Sequence, residues 1–204
     1  VAPYLRTAGV RALDTLVVSH LDTDHSGGAR TLLQTVPVGD LTTSVAADAG
    51  VLGAGGSATG DAVERETRAD GIAHRRCERG QRWEWDGVRF EVLHPPPSYY
   101  AQPRMKTNDL SCVVRVTSGA GRALLTGDIE ARSEMDLLQR DPGALRAEVL
   151  VVPHHGSISS STPAFIGAVA PDAAVFTPGY RNRFGHPRPE VVARYAQFGA
   201  TLHR

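Results

Sequence analysis

The run His20-Leu21-Asp22-Thr23-Asp24-His25 constrains this chain more than any other feature. Four side chains that bind metals through nitrogen or oxygen lie within six positions. A strand points successive residues to opposite faces, so it cannot aim all four at one centre, whereas a tight loop can. Just upstream, Thr15-Leu16-Val17-Val18-Ser19 is short and β-branched and reads as a buried strand ending at His20. Ser26-Gly27-Gly28 follows, opening a helix over Ala29–Gln34.

Two more clusters sit behind strands. Leu124-Leu125-Thr126-Gly127-Asp128 ends in a carboxylate, and Val151-Val152-Pro153-His154-His155-Gly156-Ser157 ends in an imidazole pair. Each strand delivers ligand-type side chains just past its end, where loops gather on a rigid sheet. Imidazole nitrogen and carboxylate oxygen suit Zn²⁺, Mn²⁺ and Fe²⁺, and the mixture lacks a soft thiolate. Asp22, Asp24 and Asp128 set against two or three imidazoles shift the balance towards harder ions. Two ions roughly 3.5–4 Å apart would clamp attacking and leaving oxygens, and a bound water would lose its proton near neutral pH. His74, His94 and His203 stand alone and read as ordinary polar histidines.

The remaining pattern is mixed. Gln81–Trp85 and Val88–Leu93 flank Asp86-Gly87, a hairpin signal. Pro95 to Lys106 reads as a loop, and Ser111–Thr117 pairs with Arg122–Thr126. Ile129–Arg140 reads as a helix, Glu148–Val152 as a strand, and Thr162-Pro163 caps another helix. Ala173–Thr177 is a strand and Pro189–Phe198 a helix. Val45–Gly60 is rich in Ala and Gly and gives no firm pattern, and Val63–Ala69 reads as a short helix. Strands paired as hairpins, then alternating with helices, imply an α/β sandwich rather than one parallel sheet. With 204 residues and no repeat or linker, the chain reads as one domain spanning 1–204.

Charge narrows little. The 22 basic and 22 acidic residues cancel, which argues against a general polyanion sponge but leaves room for a local basic patch. Lys106 is the only lysine. No apolar run approaches the roughly 18 residues that cross a bilayer, and the first residues do not resemble a signal peptide. Cys77 and Cys112 are read as unpaired.

Taken in order, these motifs resemble the metallo-β-lactamase superfamily, whose hallmark loop is His-x-His-x-Asp-His followed by Gly-Gly. Here Asp22 replaces the middle histidine. That replacement, with Asn108-Asp109-Leu110-Ser111, Thr126-Gly127-Asp128-Ile129-Glu130, Pro153-His154-His155-Gly156-Ser157 and Gly185-His186-Pro187, resembles the ComEC competence proteins. The resemblance implies an αββα sandwich. Only 19 residues precede His20 and no Asp-x-Gly turn is among them, so the sandwich is expected to lack its first strands.

The resemblance also implies roles. His20 and Asp22 would serve one metal position, Asp24 and His25 the other, and Asp128 would bridge them. His155 would be a ligand and His154 a proton donor to the leaving group, with the reverse order left open. Asp24, His154 and His186 are the catalytic candidates. Asn108, Ser157, Arg181, Arg183 and His186 are the substrate-binding ones. Asn108 stands near where the superfamily places another histidine and is a poor ligand, so one of two Mn²⁺ or Zn²⁺ ions is expected to bind weakly. The implied activity is a DNA phosphodiesterase acting in competence, on single-stranded DNA. The implied partner is the membrane channel portion of the same parent protein, which would sit in the plasma membrane with this domain extracytoplasmic. A stand-alone hydrolase would instead be cytoplasmic. Two rival functions stay open: a hydrolase of this fold acting on a small phosphoester or thioester, and a non-catalytic DNA-binding domain. Tyr99 and Tyr100 either stack on unpaired bases or cap the proline-rich loop.

Overall fold

The computed structural model describes residues 1–45 and 71–204, in two compact units, Val1–Cys77 and Glu78–Arg204. The helix expected over Val63–Ala69, and nearly all of the Ala/Gly-rich stretch before it, lie outside the described residues.

The first unit carries helix α1 (Ala2–Thr7), strand β1 (Leu13–Val18), the single-turn helix α2 (Thr23–Ser26), helix α3 (Ala29–Thr35), and strands β2 (Val38–Thr43) and β3 (Ala73–Arg76). The strands form a parallel sheet in the order β1-β2-β3. Parallel neighbours need a crossover, and α2 with α3 supplies the one between β1 and β2. Ala29 and Leu33 on α3 pack with Val18, Val38 and Leu41, and that contact fixes the helix on the sheet. Fully burying a side chain such as Leu41 contributes roughly 1.5–3 kcal/mol. The ligand run therefore begins at the carboxyl end of β1, on a braced strand.

The second unit carries β4 (Arg82–Trp85), β5 (Val88–His94), the short helix α4 (Pro97–Tyr100), β6 (Val113–Ser118) and β7 (Gly121–Leu125). It continues with α5 (Ala131–Arg140), β8 (Val149–Val151), α6 (Pro163–Val169), β9 (Ala173–Val175), α7 (Pro189–Gln197) and β10 (Thr201–His203). Its sheet has seven strands in the order β10-β9-β8-β7-β6-β5-β4. The half from β4 to β7 is antiparallel, and the half from β7 to β10 is parallel. The expected Asp86-Gly87 hairpin joins β4 to β5, with both turn residues at positive φ. Trp83 stacks on Phe90 across it at 5.2 Å.

A row of side chains explains why this sheet positions loops so firmly. Leu124, Leu150 and Ala174 pair in register across β7, β8 and β9, and all three are fully buried. Helices α5, α6 and α7 bury Leu137, Phe165, Ile166, Val191 and Tyr195 into the same core. Emptying such a position, as in Leu124→Ala, costs about 2–5 kcal/mol. The Glu134 carboxylate on α5 accepts from the backbone N–H groups of Ser161 and Thr162, at 2.5 and 2.8 Å, and thereby ties α5 to the start of α6.

Several sequence expectations change here. Both cysteines are disulfide-bonded rather than free. Sequence separation gave no hint of this, because disulfide geometry depends on three-dimensional proximity. The loop from Pro95 contains helix α4, and its Tyr99 is buried against His94 and the Arg132 guanidinium. Tyr99 therefore caps the loop and presents no face to a base. Among the described residues no helix is long and apolar enough to cross a membrane.

Candidate functional site

In the first unit the ligand run bends as soon as β1 ends. Asp22 caps α2 with extended backbone, and its carbonyl accepts from the N–H groups of His25 and Ser26. The Ser26 hydroxyl, fully buried, donates to the carbonyls of Leu21 and Asp22. This single turn folds His25 back over His20, with ring centroids 4.1 Å apart.

Ser19 then orients both rings. Its Oγ lies 3.2 Å from His20 Nδ1 and 3.1 Å from His25 Nδ1. A hydroxyl oxygen has two lone pairs, so it can accept from both Nδ1–H groups. That arrangement leaves the Nε2 lone pairs of both histidines facing carboxylates: His20 Nε2 is 3.8 Å from Asp22 Oδ2, and His25 Nε2 is 4.0 Å from Asp24 Oδ2. Both carboxylates are solvent-accessible, whereas His20 is fully buried.

In the second unit the candidate ligands follow neighbouring parallel strands. Asp128 follows β7, buried, and its backbone N–H donates to Ser111 Oγ at 3.1 Å. His154 and His155 follow β8 with φ of 50° and 54°, two consecutive side-chain-bearing residues in the left-handed region. Such backbone stores about 1–3 kcal/mol per residue and persists only where the surroundings hold it. The holding contacts are visible. His154 N–H donates to the Gly127 carbonyl at 3.1 Å, Thr126 Oγ1 donates to the Val151 carbonyl at 2.7 Å, and Ser160 Oγ donates to the Pro153 and Ser157 carbonyls.

The strained turn swings both rings to one carboxylate. Asp128 Oδ2 lies 3.8 Å from His154 Nε2 and 3.6 Å from His155 Nε2. His155 Nδ1 is 2.8 Å from the Thr177 carbonyl, which can only accept, so Nδ1 carries the proton and Nε2 the lone pair. His154 Nδ1 lies 3.2 Å from Ser159 Oγ and 3.7 Å from Glu130 Oε1.

These donor sets fit a divalent ion. The imidazole–carboxylate separations of 3.6–4.0 Å exceed a hydrogen bond. Two ligands at about 2.1 Å from a tetrahedral ion stand about 3.4 Å apart, close to that spacing. Each ring also has its Nδ1 beside a hydroxyl or carbonyl, the outer support that orients metal-binding histidines.

Around this geometry lie residues the sequence reading did not single out. Ser19, Ser159, Thr177 and Glu130 hold the rings. Ser19 immediately precedes His20 and Glu130 lies two residues past Asp128, so adjacency was a usable signal. Nothing in the chain order pointed to Thr177. Glu130 accepts from Lys106 Nζ at 2.7 Å and from Asn108 Nδ2 at 3.4 Å. Burial pushes its carboxyl up, but the hydrogen bond and charge of Lys106 outweigh that and hold it below its ordinary value.

The substrate-binding candidates are placed as follows. Asn108 sits on Glu130, and the Ser157 hydroxyl is buried and bonds Ser159 inside the histidine loop. His186 stands edge-on to His154 at 5.8 Å. Burial, followed by the charges of His154, His155 and Arg188, pushes its ring below its ordinary value. Arg181 and Arg183 lie just upstream, over the rings of Tyr180 and Phe184. His94 has no such role: fully buried, it donates Nε2–H to the Asp109 carbonyl at 2.8 Å. His74 Nε2 is bound to Thr43 Oγ1 at 2.8 Å.

Comparison with known proteins gives the family and the fold. A family model described as the metallo-beta-lactamase superfamily matches residues 2–180. The competence protein ComA of Neisseria gonorrhoeae is 37% identical over 204 residues, which is 100% of this chain and 26% of that protein. ComE operon protein 3 of Bacillus subtilis (strain 168) is 31% identical over 190 residues, 93% of this chain and 23% of that protein. The chain thus spans about a quarter of the length of these relatives. Among solved structures, Igni18, a metallo hydrolase from Ignicoccus hospitalis, superposes with a TM-score of 0.57 at 13% identity, over 93% of this chain and 75% of that one, a likeness of fold.

Proposed function

Because the chain belongs to the metallo-beta-lactamase superfamily, we propose that it is a metal-dependent hydrolase whose substrate is the phosphodiester backbone of DNA, acting in DNA uptake. One observation carries the hydrolase reading: His154 and His155 converge on Asp128, with the His155 lone pair fixed towards the carboxylate by Thr177. On this reading, which the family resemblance supports, Asp24 and His25 would serve one position for an Mn²⁺ or Zn²⁺ ion, and His155 would be a ligand. His20 and Asp22 would serve a second, weaker position, and Asp128 would be the carboxylate the two positions share. Such ions would supply Lewis acidity and make hydroxide available as a nucleophile near neutral pH.

The side chains have separate tasks. Asp24, solvent-accessible beside His25, orients the attacking water. His154 hands a proton to the leaving oxygen, and the Glu130 carboxylate, 3.7 Å from its Nδ1, helps to orient the ring. His186, whose ring burial pushes below its ordinary value, hydrogen-bonds a substrate phosphate oxygen. DNA as substrate is supported by the competence proteins among the relatives and by Arg181 and Arg183 beside His186. An extracytoplasmic place beside a membrane channel of the same parent protein is supported by the disulfide, which persists in oxidising compartments.

The test incubates the intact protein that carries this chain with labelled single-stranded oligonucleotide and Mn²⁺ or Zn²⁺. Cleavage that disappears in Asp128→Ala is the expected result. DNA left whole with either metal, while a small phosphodiester is cut, would transfer the assignment to small substrates.

A further inference from the structure

The segment from Tyr180 to His186 faces two ways. On its inner side Asn182 clamps the turn: its Oδ1 accepts from the His186 N–H and its Nδ2 donates to the His186 carbonyl, both at 2.8 Å. On its outer side stand two aromatic rings, Tyr180 at 89% and Phe184 at 59% exposure. Each carries a guanidinium. Arg181 lies 5.2 Å from the Tyr180 ring centre and Arg183 lies 5.0 Å from that of Phe184. Arg181 sits at φ 51°, so the backbone is bent to hold this display.

The outer rings connect to the catalytic ones. Phe184 is nearly parallel to His186, 5.9 Å away and tilted by 17°, and His186 stands 5.8 Å from His154. A flat group laid on Phe184 therefore lies within a residue's reach of the histidine assigned to proton transfer. Nucleic-acid bases are flat, and every base offers a π-face when its strand is unpaired. In a duplex those faces are stacked inside and unavailable. Guanidinium groups interleaved with the rings match the phosphates that separate successive bases.

We propose that Tyr180 and Phe184 stack on unpaired bases while Arg181 and Arg183 neutralise the adjoining phosphates, so that this rim selects single-stranded over duplex DNA. The selection rests on the DNA-hydrolase reading above. It also relocates base stacking from Tyr99, which is buried, to residues that are not.

The experiment measures binding of the intact, metal-loaded protein to cleavage-resistant phosphorothioate oligonucleotides. Three are compared: a thymidine strand, an abasic strand of equal length and a hairpin duplex. The thymidine strand is expected to bind most tightly. Phe184→Leu and Tyr180→Leu are each expected to weaken it about tenfold, with the abasic strand unchanged, and Phe184→Trp should restore it. Arg181→Gln and Arg183→Gln should each lower the slope of log affinity against log salt by about 0.7, an effect the ring substitutions lack. Equal binding of the thymidine and abasic strands by the wild type would overturn the proposal and mark the rim as a phosphate or protein contact. Cleavage without any effect of Phe184→Leu on affinity or strand preference would overturn it alone. Tight, base-dependent binding without cleavage would leave it standing and sink the hydrolase reading.

Discussion

In the first unit one serine hydroxyl orients two imidazoles on an ordinary helical turn, whereas in the second each imidazole has its own partner on backbone bent into the left-handed region. Both arrangements present Nε2 to a carboxylate at nearly equal spacing. Their surroundings differ. Asp22 and Asp24 are solvated, and Asp128 is buried with its backbone fixed by Ser111. A solvated carboxylate must lose water and rotamer freedom to bind an ion, while a buried one has already lost both. The second loop is therefore the firmer half, held in place by strain that the protein core sustains, and the first is the more adjustable half.

Substitution of the paired histidines tests that contrast most severely. His155→Ala is expected to remove bound metal, read by elemental analysis per chain. His154→Ala should keep the metal and lose about 10²–10⁴-fold in turnover, as removal of a general acid does. Metal lost from His154→Ala but retained in His155→Ala would reverse the two roles.

His94 is the control, a histidine whose Nε2 is engaged by a backbone carbonyl. Burial pushes its ring down to about 4. Unfolded, the ring takes up a proton near 6.5, so between about 6.5 and 4 the unfolded chain binds more protons than the folded one. Stability is then complete above about 6.5, falls as pH drops towards 4, and levels off below, by about 3 kcal/mol in all. Melting temperatures recorded across that window should fall in the wild type and fall less in His94→Phe. A flat profile in the wild type would contradict the assignment.

Ser19→Ala should weaken metal binding by about 10–100-fold, because both rings of the adjustable loop lose their orienting atom. Competition with a chromophoric chelator measures it. The counterpart, Ser159→Ala, touches His154 alone and should reduce turnover about tenfold at unchanged metal content. Equal losses of metal in the two variants would erase the distinction between the loops.

Much of this was legible in the residue order, for reasons that differ by region. His20 to His25, Asp128 and His154-His155 each follow an apolar run, so chain order alone placed them at strand ends. Helices α5 to α7 were legible from their apolar spacing and turn residues. The second sphere was not. Thr177 acts through its carbonyl, which every residue possesses, so its identity carries no signal. Tyr99 and Tyr180 are the same residue type, and only the packing of Arg132 and His94 separates the buried ring from the exposed one. The disulfide-bonded state of Cys77 and Cys112 was missed because spacing along the chain does not report bonding. Strands β3 and β10 are too short, at four and three residues, for alternation to rise above chance.

Gly156 has a consequence beyond its own turn. It stands at φ 83°, and a side chain there would begin 2.7 Å from the Pro187 ring, while its carbonyl accepts from the Arg188 N–H at 2.9 Å. The histidine loop and the His186 segment thus touch without an intervening side chain, and little slack separates them. A side chain placed there, as in Gly156→Ala, would wedge the two segments apart and disturb both at once.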